Sequence, residues 1–401
     1  MDNHDIIVVG AGPTGLLAAR KASEKGVNVV LVEREKTLGK KVCAEAISST
    51  GLEDSELDSR DFVVNKMSGA IVYAPDETKS VEISGEAMGK HGGCVLDKRM
   101  YLEALADAAR KAGADIRLGA SLVDAKRNEG RIETTVKTEN ETHSLSSRIL
   151  IGCDGFSSVV ARKFFDTSRM EFISCIQYVM EGCRIGNEDL LRFYLGNEVA
   201  PLGYLWVFPK GKGVANVGLG VRGTAAKPYL DKFLKRHPET FGDSKILSVG
   251  AAPLVVSGQL DKSVSDNVMI AGEAAGHVIP FTGAGIHSGL VAGRIAGSLA
   301  AEAIRDEDYS ESRLSGYAVE YDRIFGDRMR RSLKGLKVIE KLSDGELNTM
   351  AELLKGQDIL DLANGMNLER AVKMMMKHPV LAIKVAKALM SWLPSSENHS
   401  H

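Results

Sequence analysis

The 401-residue chain carries 51 Lys+Arg against 53 Asp+Glu, a formal net charge of -2, with 44% hydrophobic and 26% charged residues. That length exceeds one small core and predicts two or three domains. The even charge argues against a general nucleic-acid binder and against an acidic disordered chain. Five widely spaced cysteines (Cys43, Cys94, Cys153, Cys175 and Cys183) form neither a disulfide framework nor a CxxC metal or redox pair, so a reducing cytoplasm is expected. No basic segment precedes the apolar run at Ile6, so no signal peptide is expected.

The first elements are a β-branched run at residues 6–9, a glycine turn, a helix over 16–25 stopped by Gly26, and a second buried strand over 27–32. A helix over 101–112 and a strand at 115–118 follow, then two alternating runs near 123–126 and 132–137. A further buried strand at 149–152 enters the turn Cys153-Asp154-Gly155. Residues 173–221 read mostly as strands (176–179, 191–195, 204–208 and 214–219), an antiparallel sheet apart from the first unit. Buried-strand character returns at 268–273, a long helix begins near Gly285, and the pattern after Tyr309 is helical. The uncharged stretch 274–293 contains Pro280 and five glycines, so it reads as loop and helix start rather than a membrane span.

Gly10-x-Gly12-x-x-Gly15 lies between a strand and a helix, and Glu33 ends the next strand. Glycines there allow the tight turn, close approach of a pyrophosphate and helix–strand packing; the helix N-terminus faces the phosphates and the acid accepts ribose hydroxyls. A second match, Gly218-x-Gly220-x-x-Gly223, holds Arg222 and has no following strand with a terminal acid, so it reads as a loose strand end.

Two further segments shift the expected dinucleotide from NAD to FAD: Cys153-Asp154-Gly155, and Ala271-Gly272-Glu273 followed by Pro280-Phe281-Thr282-Gly283-Ala284-Gly285-Ile286. An acid at a strand end can bind ribityl hydroxyls, and a helix N-terminus behind glycines can stabilise the negative charge of a reduced flavin. The three motifs in this order resemble the FAD-dependent oxidoreductases of the p-hydroxybenzoate hydroxylase fold, with Glu273 where that family has Asp. Within that fold the chain resembles the archaeal geranylgeranyl reductases. The likeness rests on Tyr204-Leu205-Trp206-Val207-Phe208-Pro209-Lys210-Gly211 with Asn216-Val217-Gly218, and on Lys41-Val42-Cys43-Ala44-Glu45-Ala46, where alanines replace two family glycines.

The resemblance implies an α/β architecture: a discontinuous Rossmann-like FAD-binding domain (1–60, 96–168 and 258–308), an inserted antiparallel-sheet substrate domain (61–95 and 169–257) and a C-terminal helical region (309–401). It implies FAD contacts from Gly10, Gly12, Thr14, Gly15, Glu33, Arg34, Cys43, Ala44, Ala46, Leu122, Asp154, Gly272, Glu273, Gly283, Ala284, Gly285 and Ile286, with Lys98 or Arg99 serving for a family arginine. Cys43 follows Lys40 and Lys41; spacing alone reads it as a small packed hydrophobe, and the resemblance makes it a flavin contact. Tyr204, Trp206 and Phe208 alternate on a strand and share a face, readable either as core packing or as the wall of an isoprenoid channel. The implied activity is saturation of geranylgeranyl double bonds in membrane-lipid biosynthesis, with an isoprenoid lipid as substrate and an unidentified electron donor. An FAD-dependent aromatic monooxygenase is the alternative. Cys43, Tyr204 and ordered water are the candidates for the proton source, and no residue cluster has metal-ligand spacing.

Toward the C-terminus Arg323, Arg330, Lys334, Lys337 and Lys341 form one helical stripe, with Phe325, Met329, Leu333, Leu336 and Ile339 opposite. Lys373, Lys377, Lys384 and Lys387 make a second stripe, interrupted at Pro379 and ending near Trp392. Either reads as a solvated surface helix or, given a lipid substrate, as a peripheral contact with the inner face of the membrane.

Overall fold

In a computed structural model, which describes residues 2–88 and 92–364 together with 366, 367, 370, 373, 374, 378, 382–385 and 387, the strands gather into three sheets. The first is centred on Asp2–Val9, which pairs in parallel with Thr142–Gly152 on one side and Val29–Glu33 on the other. Ile6, Ile7 and Val8 are fully buried, because helices cover one face and further strands the other, as parallel strands require. Asp115–Leu118 and Val268–Ile270 extend this sheet in parallel; Arg131–Lys137 returns antiparallel against Thr142–Gly152, and Ser121–Asn128 pairs antiparallel with Arg131–Lys137.

Helix Pro13–Ser23 packs against helix Ile286–Asp306 along a stripe of glycines. A Cβ at Gly293 would lie 2.2 Å from the Thr14 carbonyl oxygen, and one at Gly297 would lie 2.1 Å from that of Ala18. Small residues at four-residue spacing therefore let the two helix backbones meet, bringing the start of the second helix against the glycine turn of the first.

The second sheet runs Lys245–Val255, Phe172–Glu181, Val214–Val221, Tyr204–Gly211, Leu190–Tyr194, Gly69–Tyr73, Ser80–Ser84. Its pairings are antiparallel except for Leu190–Tyr194 with Gly69–Tyr73. Alternation divides it into two unlike faces. Tyr178, Leu205, Val207, Val217 and Leu219 pack under helix Lys227–Arg236. Cys175, Gln177, Tyr204, Trp206, Phe208, Asn216, Gly218 and Gly220 occupy the alternate positions. The third sheet, Ala46–Ser48, Gly93–Leu96 and Val63–Met67, joins the first two.

The run 214–221 is a regular strand, not a loose end, and its glycines make room for neighbours. A Cβ on Gly218 would sit 2.5 Å from the indole of Trp206.

The predicted basic helix is Asp327–Ile339, entered through a π-helical turn at Asp322–Gly326 that takes Arg323 out of register with the rest of the stripe. Its apolar side is occupied, since Phe325 and Met329 lie in the core between the first sheet and its helices. Its charges are largely paired: Arg323 with Glu320, Arg330 with Asp322 and Asp327, and Lys337 with Glu171 and Glu340. It is a helix docked by its apolar side, with part of its charged stripe answered by neighbouring carboxylates. Lys384 of the second stripe pairs with Glu346, while Lys373 and Lys387 are exposed. Lys377, Pro379 and Trp392 lie outside the described residues. Among the described residues no helix is long and apolar enough to cross a membrane.

Candidate active site

A cavity of about 610 Å³ runs between the first and second sheets. At one end it is lined by Gly10, Gly12, Thr14, Glu33, Arg34, Lys98, Leu122 and Asp154; farther along by Cys43, Ala44, Glu273, Gly283, Gly285 and Ile286; and on the second sheet by Cys175, Tyr204 and Trp206.

Gly10 has φ +99 and a Cβ there would lie 2.4 Å from the Cys153 carbonyl, so the two loops ending neighbouring parallel strands cross with no room for a side chain. Gly12, by contrast, has open space before it: a Cβ would meet nothing within 4 Å. It caps the helix that starts at Pro13, where first-turn N–H groups lack intrahelical partners. Glu33 is gripped from behind, Oε2 accepting from the Ala11 N–H at 2.7 Å and Oε1 from the Glu35 N–H at 2.9 Å. Each oxygen keeps a lone pair for a ribose hydroxyl. An open phosphate cradle, a helix N-terminus and a fixed carboxylate fit the diphosphate and ribose of FAD.

Asp154 lines the cavity and at the same time builds the loop behind it. Its carboxylate accepts from the Ser158 hydroxyl and the Val159 and Val160 N–H groups, capping helix Val159–Phe164. Burial holds this carboxyl above its ordinary value, an effect those hydrogen bonds only partly offset. Glu273 pairs with Lys41, whose ammonium also lies 5.3 Å from the Phe156 ring centroid. The longer acid at this position thus binds the two halves of the cavity wall together.

The Tyr204 hydroxyl donates to the Thr282 carbonyl and faces Gly283, so the strand and the glycine loop meet directly. Burial, with Cys175 beside it, raises the phenol well above its ordinary value, and the hydroxyl holds its proton tightly. Cys43 is half-buried; its Sγ accepts from the Glu45 N–H at 3.3 Å. Cys175, also on the cavity wall, is pushed up to about 12 by burial, which Lys41 partly offsets. Cys175 was missed in the sequence because a cysteine in an alternating strand reads as a packed hydrophobe.

Several expected contacts stand off the cavity wall for clear reasons. Phe208 lies beyond the cavity, its ring edge-on to Phe193 at 5.2 Å. Gly15 packs on the Gly10 carbonyl, and Gly272 (φ +67) on the Thr14 side chain, so both shape the turn from behind. Ala46 begins a strand paired to Val95, and Ala284 bridges back to Ile279. Arg99 points outward near Glu103, at 3.7 Å, whereas Lys98 lines the cavity and donates to the Lys41 carbonyl.

This fold and this site define an FAD-dependent oxidoreductase. A family model described as "FAD binding domain" matches residues 3–174, and one described as "Geranylgeranyl reductase catalytic domain" matches residues 171–254. The chain is similar to digeranylgeranylglycerophospholipid reductase 2 of Methanopyrus kandleri (36% identical, covering 96% of this chain and 99% of that one). It is 33% identical to digeranylgeranylglycerophospholipid reductase of Methanocaldococcus jannaschii, covering 97% and 99%. Among solved structures it resembles a geranylgeranyl bacteriochlorophyll reductase-like protein from Thermoplasma acidophilum, with TM-score 0.86, 28% identity and coverage of 97% and 100%. The chain belongs to the digeranylgeranylglycerophospholipid reductase family.

Proposed function

We propose that this chain reduces the carbon–carbon double bonds of geranylgeranyl chains on a glycerophospholipid precursor of archaeal membranes. The observation that carries this reading is the continuity of the cavity: it joins the dinucleotide cradle at Gly12 and Glu33 to a stretch walled by Ile173, Leu202, Tyr204, Trp206, Leu254 and Phe281. A hydrocarbon chain offers only apolar surface, about 0.8 kcal/mol per buried CH₂, so its site needs length and apolar walls rather than polar anchors.

FAD held at Gly12 and Glu33 would, when reduced, supply the hydride for one alkene carbon. An isolated alkene is unpolarised, so the protein must orient it, exclude water and hold a proton for the second carbon. Tyr204 and Trp206 supply the wall. We assign the proton to Cys43, whose sulfur keeps the Glu45 N–H hydrogen bond after the proton leaves. Tyr204 is the poorer donor, because its hydroxyl is committed to Thr282.

The lipid must be drawn from a bilayer, and we assign peripheral membrane contact to the edge strand Lys245–Val255. Ile246, Leu247 and Val249 there are 50%, 55% and 61% exposed, and the same strand continues into the cavity wall at Ala251 to Leu254.

The test is anaerobic incubation of the FAD-loaded protein with dithionite and a geranylgeranylated glycerophospholipid, read by mass. The expected result is a gain of two mass units per double bond reduced. No gain, together with oxygen-dependent hydroxylation of a small phenol, would overturn the reading in favour of a monooxygenase.

A further inference from the structure

Trp206, Lys210 and Asn216 belong to the sequence run that carries the family likeness, yet their polar atoms are spent on holding another segment. The indole N–H of Trp206 donates to Gln177 Oε1 at 3.0 Å, and Gln177 Nε2 donates to the Cys43 carbonyl at 3.0 Å. Gln177 is 5% exposed, so its amide has no competing water. The next carbonyl, Ala44, accepts from Asn216 Nδ2 at 3.0 Å, and the same nitrogen lies 2.8 Å from Glu45 Oε2. Asn216 is fully buried. Glu45 also pairs with Lys210, which reaches the Leu96 carbonyl at 3.3 Å.

Two successive carbonyls and one carboxylate are therefore held by three strands of the second sheet. Between them the chain makes a turn that a flexible loop would avoid: Glu45 has φ +69, in the left-handed region disfavoured for a non-glycine residue. That turn aims the Glu45 N–H at the Cys43 sulfur. Gly218 completes the arrangement, since any side chain there would displace the indole that orients Gln177.

We propose that Gln177, Asn216 and the Glu45–Lys210 pair are positioning residues that fix the Cys43 thiol in the cavity, and that Trp206 serves the reaction through Gln177 as well as through its ring. The proposal rests on the reading of Cys43 given above. Trp206→Phe separates the two parts of its role, because it keeps an apolar ring and removes the N–H. Gln177→Glu keeps the acceptor for Trp206 and replaces the donor to Cys43 with an acceptor. Both are made in a Cys175→Ser background, which leaves Cys43 as the half-buried thiol; Cys94, Cys153 and Cys183 are buried.

The experiment measures, on FAD-loaded protein, the rate of Cys43 alkylation by iodoacetamide, FAD content, and kcat and KM for a geranylgeranylated glycerophospholipid. Wild-type FAD content, a several-fold change in alkylation rate and roughly a 10-fold fall in kcat at unchanged KM are expected for both variants, as a displaced reacting group costs rate rather than affinity. Asn216→Asp, which removes the donor to Ala44, should act in the same direction and serves if either variant loses FAD. Wild-type alkylation in every variant, with only KM raised, would overturn the proposal and leave Trp206 as wall alone. Wild-type turnover by Cys43→Ser would instead defeat the proton assignment, while the alkylation rates, which need no turnover, still decide the positioning.

Discussion

At the dinucleotide end of the cavity the wall is mostly backbone. Gly10 and Gly12 present main chain, Glu33 is held by two N–H groups, and the carboxylate of Asp154 is spent on the N–H groups of a helix start. At the second sheet the wall is side chains held by other side chains: Trp206 by Gln177, the Cys43–Glu45 segment by Asn216 and Lys210. The first kind of wall depends on space that must stay empty. The second depends on hydrogen-bond partners that must stay matched. A substitution should therefore fail by collision at one end and by loss of a partner at the other.

The largest effect separates two glycines of one motif. A Cβ on Gly15 would lie 1.9 Å from the Gly10 carbonyl oxygen, and backbone cannot yield there without moving the strand. Gly15→Ala should cost more than the ~3 kcal/mol at the upper end of ordinary overpacking. Gly12→Ala meets open space at φ -76 and should keep stability within about 0.5 kcal/mol while retaining much less FAD. Urea melts of the two apoproteins, with flavin absorbance of the purified forms, check this. Equal stabilities would end the claim that this wall works by exclusion.

At the side-chain wall, Lys210→Met leaves Glu45 without its cation. Both side chains are mostly buried, so the loss should be about 3 kcal/mol, the low end for removing one partner of a buried pair. Lys337→Met, at the pair with half-exposed Glu171, should cost less than about 1 kcal/mol. Similar losses in denaturant melts would mean that Lys210 does nothing the surface pair does not.

The third effect is one of pH. His277, next to the flavin-side glycines, is stacked on Tyr321 at 3.8 Å, and burial pushes it down to about 3. A depressed folded value means that the unfolded chain binds the proton first. The histidine's contribution is whole above about pH 6.5 and falls as pH drops toward 3. At pH 5 the loss is about 2 kcal/mol, at 1.36 kcal/mol per pH unit. His277→Phe keeps the stack and should remove that part of the fall in Tm between pH 7 and pH 5. An unchanged slope would show that other groups carry it.

The same contrast sets what could be read in advance. The strand–glycine–helix unit and Glu33 were legible because each contact there is local: space at Gly12, an acid one strand away. The face shared by Tyr204, Trp206 and Phe208 was legible from alternation, but the cavity's extent was not, and it stops short of Phe208. The Gln177 relay joins residues 43, 177 and 206, and no spacing in the chain announces a hydrogen bond across 134 positions. Arg99 failed for a simpler reason: at the start of helix Lys98–Lys111, adjacent residues point in different directions, and Lys98 took the inward one. The strands Gly69–Tyr73, Ser80–Ser84 and Lys245–Val255 were unassigned from sequence; the last opens with Ile246 and Leu247 side by side, both exposed, which breaks the apolar–polar alternation that marks a half-buried strand.

That edge supplies the smallest expected effect on stability and the sharpest test of how substrate arrives. Ile246, Leu247 and Val249 lie where unpaired backbone is a liability for aggregation, and soluble proteins usually place charge or proline at such edges. Apolar residues there are explained if a lipid surface covers them. Replacing all three with Ser should change stability by no more than about 0.5 kcal/mol per site, since little is buried. The same variant should sediment less with lipid vesicles and show a raised KM for substrate presented in vesicles, with KM for detergent-dispersed substrate unchanged. Charge contributes little on this view. Reversing Lys334, Lys337 and Lys341 to Glu should alter vesicle binding less than the triple Ser variant does, because Lys337 already answers Glu171 and Glu340. Should the charge reversal abolish sedimentation while the Ser variant binds normally, the membrane contact belongs to the C-terminal helix and the edge strand loses its assignment.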